Sequence, residues 1–163
     1  MDLPAAIALV IIGAAAVYAV SVNVRAYRLA RGSVVLGRSQ YRAGDIVEGR
    51  LTVNALRTCT VKSVCLTLAC WSTNPQNELS MSSDGWLYKS VQTIHIDRLL
   101  AAGQSQSVAF ALPMPRPGEM PIYVFLGEGK TRYPAIWSVS ADINCNGLIV
   151  SAGNDFEAVS EWQ

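Results

Sequence analysis

With 51% hydrophobic and 15% charged residues in 163, the chain is too apolar for a disordered protein. Its formal net charge of +1 excludes the strongly basic balance of a nucleic-acid binder, and no DNA- or RNA-binding signature occurs. From Gly32 onward ten Lys/Arg face eleven Asp/Glu, a net charge near −1 on what reads as one domain of about 130 residues.

The chain opens on Leu3 to Val24, which contains no Asp, Glu, Lys, Arg or His. At about 1.5 Å per residue this run is long enough to cross a hydrocarbon core and predicts an N-terminal transmembrane helix. A cleavable signal peptide is the rival reading, but only Met1 and Asp2 precede the run and no basic n-region is present. Ala6, Gly13, Ala16 and Val20 form a helical stripe that includes small residues suited to close packing against another helix in lipid. Arg25, Arg28, Arg31 and Arg38 follow, placing the N-terminus outside and the remaining chain in the cytoplasm. Arg25, Arg28 and Arg31 lie beside anionic lipid head groups in this reading. The organisation expected is an anchor and basic stem over 1–31, a domain over 32–153 and a tail over 154–163.

Past Arg31 the period changes from helical to two. A short strand over Ser33–Leu36 precedes a turn at Tyr41–Asp45, where Gly44 can take positive φ. In Ile46–Val53, Val47, Gly49, Leu51 and Val53 alternate with Glu48, Arg50 and Thr52, the mark of a half-buried strand. Val61–Trp71 alternates more strongly. Cys65 and Cys70, five apart on it, face opposite sides.

The polar stretch Ser72–Gly85 reads as a loop. Trp86–Ile96 and Ser105–Leu112 are two further strands about a turn at Asp97–Gly103. Pro113–Gly118 is a stiff connector, and Ile122–Leu126 a short edge strand. Thr131–Ile143 alternates again, and Asn146–Gly147 is a hairpin signal leading into Leu148–Val150. Short strands separated by turn residues define an all-β, immunoglobulin-like sandwich.

Four stretches together resemble arrestin-like domains of the bacterial branch. They are Tyr41-x-x-Gly44-Asp45-x-Val47-x-Gly49-x-Leu51, Leu66-x-Leu68-x-Cys70 and Phe110-x-Leu112-Pro113-x-Pro115. The fourth, Ile136-Trp137-x-Val139-x-Ala141, is one residue out of register with the family's usual form. The resemblance covers roughly Ser33 to Val150. It implies one arrestin-like β-sandwich lobe and a non-catalytic adaptor role near membranes. The buried charge network of visual arrestins has no counterpart here, so receptor and phosphate recognition are not carried over.

Searching for chemistry yields no catalytic, cofactor or metal site. Gly127–Thr131 ends like a Walker A loop, but Val124 stands where the first glycine belongs, and Tyr133-Pro134 disfavours the following helix. His95 is the single histidine, and no nucleophile motif accompanies it. Cys59, Cys65, Cys70 and Cys145 contain no C-x-x-C pair and read as reduced thiols acting as small hydrophobes.

Trp137 is in phase with Val139 and Ala141 and reads as core, whereas Trp162 in the tail is the better contact candidate. The chain is therefore expected not to be an enzyme and to take no small-molecule substrate. Two functions follow: an accessory or scaffold subunit of a larger membrane complex, or a membrane-tethered module that recruits a soluble protein or peptide.

Overall fold

The structure, a computed structural model, describes residues 21–72, 86–116, 119 and 135–159. The strands are β1 (Ala30–Leu36), β2 (Gln40–Arg42), β3 (Ile46–Ala55), β4 (Cys59–Ser72), β5 (Trp86–Leu100), β6 (Ser105–Pro113), β7 (Ala135–Cys145) and β8 (Leu148–Val159). They form a three-stranded sheet of order β1-β3-β6 and a five-stranded sheet of order β2-β8-β7-β4-β5. Every neighbouring pair is antiparallel except β2 on β8.

The two-residue alternation dictates the layers. On β3, Val47, Leu51, Val53 and Ala55 are buried while Ile46, Glu48, Arg50 and Asn54 are exposed. Val64, Leu66, Leu68 and Cys70 on β4 meet Trp137, Val139, Ala141 and Ile143 on β7, all without exposed surface. The core lies between these faces.

A row of aromatic rings runs through it. Tyr41 meets Phe156 edge-on with centroids 5.1 Å apart, Phe156 lies 6.1 Å from Trp137, and Trp137 lies 5.7 Å from Tyr88. Such pairs add to the burial of the rings themselves.

The arrestin-like motif positions mark architecture. Gly44 takes φ +83° and its N–H donates to the Pro115 carbonyl at 2.9 Å. The Asp45 carboxylate accepts from the Arg42 N–H at 2.9 Å, closing the turn. The Tyr41 hydroxyl accepts from the Arg38 N–H and donates to the Glu48 carbonyl, each at 3.1 Å.

Gly49 faces Phe110 across β3 and β6, and a Cβ there would stand 2.4 Å from the Phe110 ring and 2.7 Å from the Val35 carbonyl oxygen. Gly49→Val is therefore expected to lower stability by roughly 1–3 kcal/mol through overpacking, read as a reduced thermal midpoint. An unchanged midpoint would mean that the ring moves aside freely.

The fold corrects the sequence reading at the N-terminus. Among the described residues no helix is long and apolar enough to cross a membrane. The described residues form a β-sandwich and include no such helix, which corrects the transmembrane helix expected over Leu3–Val24. Residues 1–20 of that expectation, with Ala6, Gly13, Ala16 and Val20, lie outside the described residues. Residues 21–29 are helical and bury Ala26 against the sandwich, and β1 begins at Ala30. Of the expected span only residues 21–24 are described; they are helical, and Val24 is 43% exposed. The Leu56 and Arg57 N–H groups cap the Leu29 carbonyl at 2.9 and 3.1 Å, so the helix stops where β1 starts.

Smaller corrections share one cause, the pairing partner. β5 continues through Asp97, at φ +45°, to Leu100, and the turn is confined to 101–104. Asp97 and Ile96 sit in an irregularity between the Val61–Arg98 and Ser63–His95 pairs, so the strand resumes instead of ending. β8 runs to Val159, placing 154–159 of the expected tail in the five-stranded sheet. Asn146 and Gly147, at φ +53° and +82°, make the expected hairpin between β7 and β8. Most of the Ser72–Gly85 loop, the Ile122–Leu126 strand, Gly127–Thr131 and Trp162 lie outside the described residues.

Candidate functional site

A sandwich must guard its sheet edges, because an edge strand presents unpaired N–H and C=O groups to any extended chain. Among the described residues, three of the four edges are guarded. β1 approaches β8 so closely that a Cβ on Gly32 would lie 2.9 Å from the Ala152 Cβ, and the Asn154 amide donates to the Val34 carbonyl at 3.3 Å. β2 is only three residues long. β5 carries the irregularity at Asp97 together with exposed Lys89, His95, Asp97 and Arg98.

β6 differs. Ser105–Pro113 pairs with β3 over its whole length without a register shift and contains no charged residue. Its outward side chains, Ser105, Ser107, Ala109 and Ala111, are small and exposed. Val108, opposite Leu51, points inward and is half-buried.

Beside this edge the two sheets diverge. At one end the Arg98 guanidinium on β5 donates to the Gln106 side-chain oxygen on β6, tying the sheets together. Toward the other end a groove of about 480 Å³ opens, lined by Glu48, Gly49, Gln92, Ile94 and the 109–111 stretch of β6. Phe110 closes its floor, being buried over Gly49, while Glu48 and Gln92 stand exposed at its rim. Among the described residues the arrangement offers a strand edge without a partner strand and a shallow, largely apolar slot. Nothing in it supplies a nucleophile or an acid–base pair.

The residues singled out from sequence fall elsewhere. Arg25 and Arg28 are exposed on the helix and Arg31 on β1. His95 is exposed on β5, and Trp137 is fully buried in the core as its phase predicted. Among the described residues no group of three or more His, Cys, Asp or Glu gathers to hold a metal. Sequence reading missed the β6 edge. The signal was present as nine consecutive uncharged residues, but edge position is a property of sheet order.

All four cysteines are free thiols, with Cys59, Cys70 and Cys145 buried and Cys65 half-buried. Burial raises the Cys70 thiol well above the ordinary value. Burial also pushes the Cys145 thiol from 9.0 up to about 12, with the neighbouring Cys59 adding to the shift. A thiol raised in the folded state favours folding below its unfolded pKa, and that contribution is lost as pH rises from about 9 toward 12. The denaturant midpoint is expected to fall above pH 9, and Cys145→Ala to flatten that fall. A midpoint equally steep in the variant would assign the loss to other groups.

The fold defines a class first, an all-β sandwich of a three- and a five-stranded sheet. No protein-family model and no curated protein sequence matches the chain. Among solved structures, the sporulation control protein Spo0M of Bacillus subtilis is similar with a TM-score of 0.52 and 13% identity, over 83% of this chain and 50% of that one. At that identity the likeness shows the sandwich fold alone, and the chain spans half of Spo0M's length. A CARDB domain from Pyrococcus furiosus, solved with di-metal ions, has a TM-score of 0.40 at 12% identity over 80% of this chain and 87% of that one. A Paenibacillus cycloisomaltooligosaccharide glucanotransferase has 0.43 at 18% identity, over 80% and 15%. Neither carries further argument.

Proposed function

We propose that this chain is a non-catalytic interaction module of arrestin-like type that captures an extended segment of a protein partner along β6. The single observation behind this is the edge left unguarded among the described residues: nine uncharged residues in unbroken register, beside an apolar groove, where the other edges are short, covered or charged. Strand addition draws affinity from main-chain hydrogen bonds and specificity from pockets for alternate side chains, and the groove beside Phe110 is one such pocket.

The arrestin-like reading draws support from the placement of its motif residues. Tyr41, Val47, Leu51, Leu66, Leu68, Cys70, Phe110, Leu112, Trp137, Val139 and Ala141 are all buried, and Gly44 and Gly49 sit where a side chain would strain the turn or strike Phe110. Of the two roles expected from sequence, the recruiting module is favoured over the accessory subunit, because the open edge suits a linear segment.

Selection of random ten-residue peptides displayed on phage against the whole protein tests this reading. Peptides of alternating apolar pattern that bind wild type and lose binding on Val108→Lys are expected. An unproductive selection, or peptides indifferent to Val108→Lys, contradicts it.

A further inference from the structure

We infer that the end of the sandwich bearing the 21–29 helix is a docking surface for an anionic lipid bilayer. The inference starts from topology. β1, β4, β6 and β8 begin, and β3, β5 and β7 end, at the same end of the molecule, as the pairs Ala30–Ala55, Asn54–Ser105, Cys59–Leu100, Val61–Cys145 and Cys145–Leu148 require. The capping of Leu29 by the Leu56 and Arg57 N–H groups fixes the helix to that end.

Two kinds of side chain collect there. The basic ones are Arg25 and Arg28 on the helix, Arg31 at the start of β1, Arg57 in the turn after β3 and Arg98 near the end of β5, all exposed. Asp97, beside Arg98, and Asp142, three residues before the end of β7, are the carboxylates nearest this end along their strands. Asp45, Glu48, Glu119 and Glu157 belong to the opposite end. Among the described residues Arg38, Arg42 and Arg116 share the opposite end with those carboxylates, so the excess of positive charge lies at the helix end.

The apolar ones are Tyr27 and Leu99, 70% and 66% exposed, with Val24, Leu56 and Ile149 also exposed. Bulky apolar groups interleaved with arginines match a head-group layer, which takes both acyl-boundary contacts and anionic charge. A nucleic acid would satisfy the arginines and leave Val24, Leu56 and Leu99 in water.

The surface meets β6 only at its first residues, through the Arg98–Gln106 bond, so its failure leaves the strand-capture reading standing. The test uses the full chain with Cys65→Ser and an environment-sensitive dye on either Leu99→Cys or, at the opposite end, Gln40→Cys. With vesicles of mixed phosphatidylglycerol and phosphatidylcholine, the Leu99→Cys dye is expected to brighten and shift to the blue, reversibly with salt. The Gln40→Cys dye should stay unchanged. Arg28→Gln with Arg57→Gln should weaken partitioning roughly thirtyfold, at about 1 kcal/mol per arginine. A Leu99→Cys dye that stays in water, responds equally to pure phosphatidylcholine, or behaves like the Gln40→Cys dye overturns the inference.

Discussion

Trp137→Ala is expected to remove roughly 3–5 kcal/mol of folding stability, as deletion of a fully buried aromatic does. Trp137 has no exposed surface and stands in the central part of the aromatic row between Phe156 and Tyr88. Its loss leaves a cavity between β8, β7 and β5 that these rings cannot all refill. Against a total stability of about 5–15 kcal/mol, the loss is large enough to leave a marginal fold partly unfolded. Urea denaturation followed by circular dichroism measures it. Trp71→Ala, at a partly exposed indole on β4, serves as the contrast, and surface substitutions of its kind are usually within about 0.5 kcal/mol. Comparable losses at the two positions would contradict the placement of the core.

Val108→Lys is expected to abolish capture of an extended peptide while leaving the sandwich folded. In the free protein a lysine there can bend past the open edge of β6 and keep its ammonium in water. An added strand would cover that route and trap the charge against Leu51. An inward-pointing charge is one of the devices by which natural edge strands refuse a partner. Burying it without a partner costs about 3–5 kcal/mol, or more than a hundredfold in affinity. Isothermal titration with a selected peptide reads the effect, and a melt of the variant controls for folding.

Much of the fold was legible because it is written in period-two alternation. Val47, Leu51 and Val53 faced inward as the pattern required, and Asn146-Gly147 turned where the chemistry of positive φ demanded. What alternation cannot encode is partnership. The end of β5 was misread because Asp97 at positive φ resembles a turn, although the strand resumes on β4. The length of β8 depends on β2, which pairs with it in parallel near its end across 117 residues.

The N-terminal helix was misjudged for a related reason. Apolarity reports that a segment avoids water and does not say how it is accommodated, and among the described residues no helix is long and apolar enough to cross a membrane. The candidate site was the least legible part. Ser105–Pro113 read as an ordinary strand, and only the order β1-β3-β6 makes it an edge.

Amide hydrogen exchange of the whole protein, with and without a peptide selected on it, tests the central claim most directly. Residues 105–113 of β6 are the ones to watch. Strand addition should slow exchange at alternate β6 amides, those whose N–H groups point away from β3, and leave the amides of β5 as they were. Protection that appears along β5, or binding that protects neither edge, would contradict capture at β6.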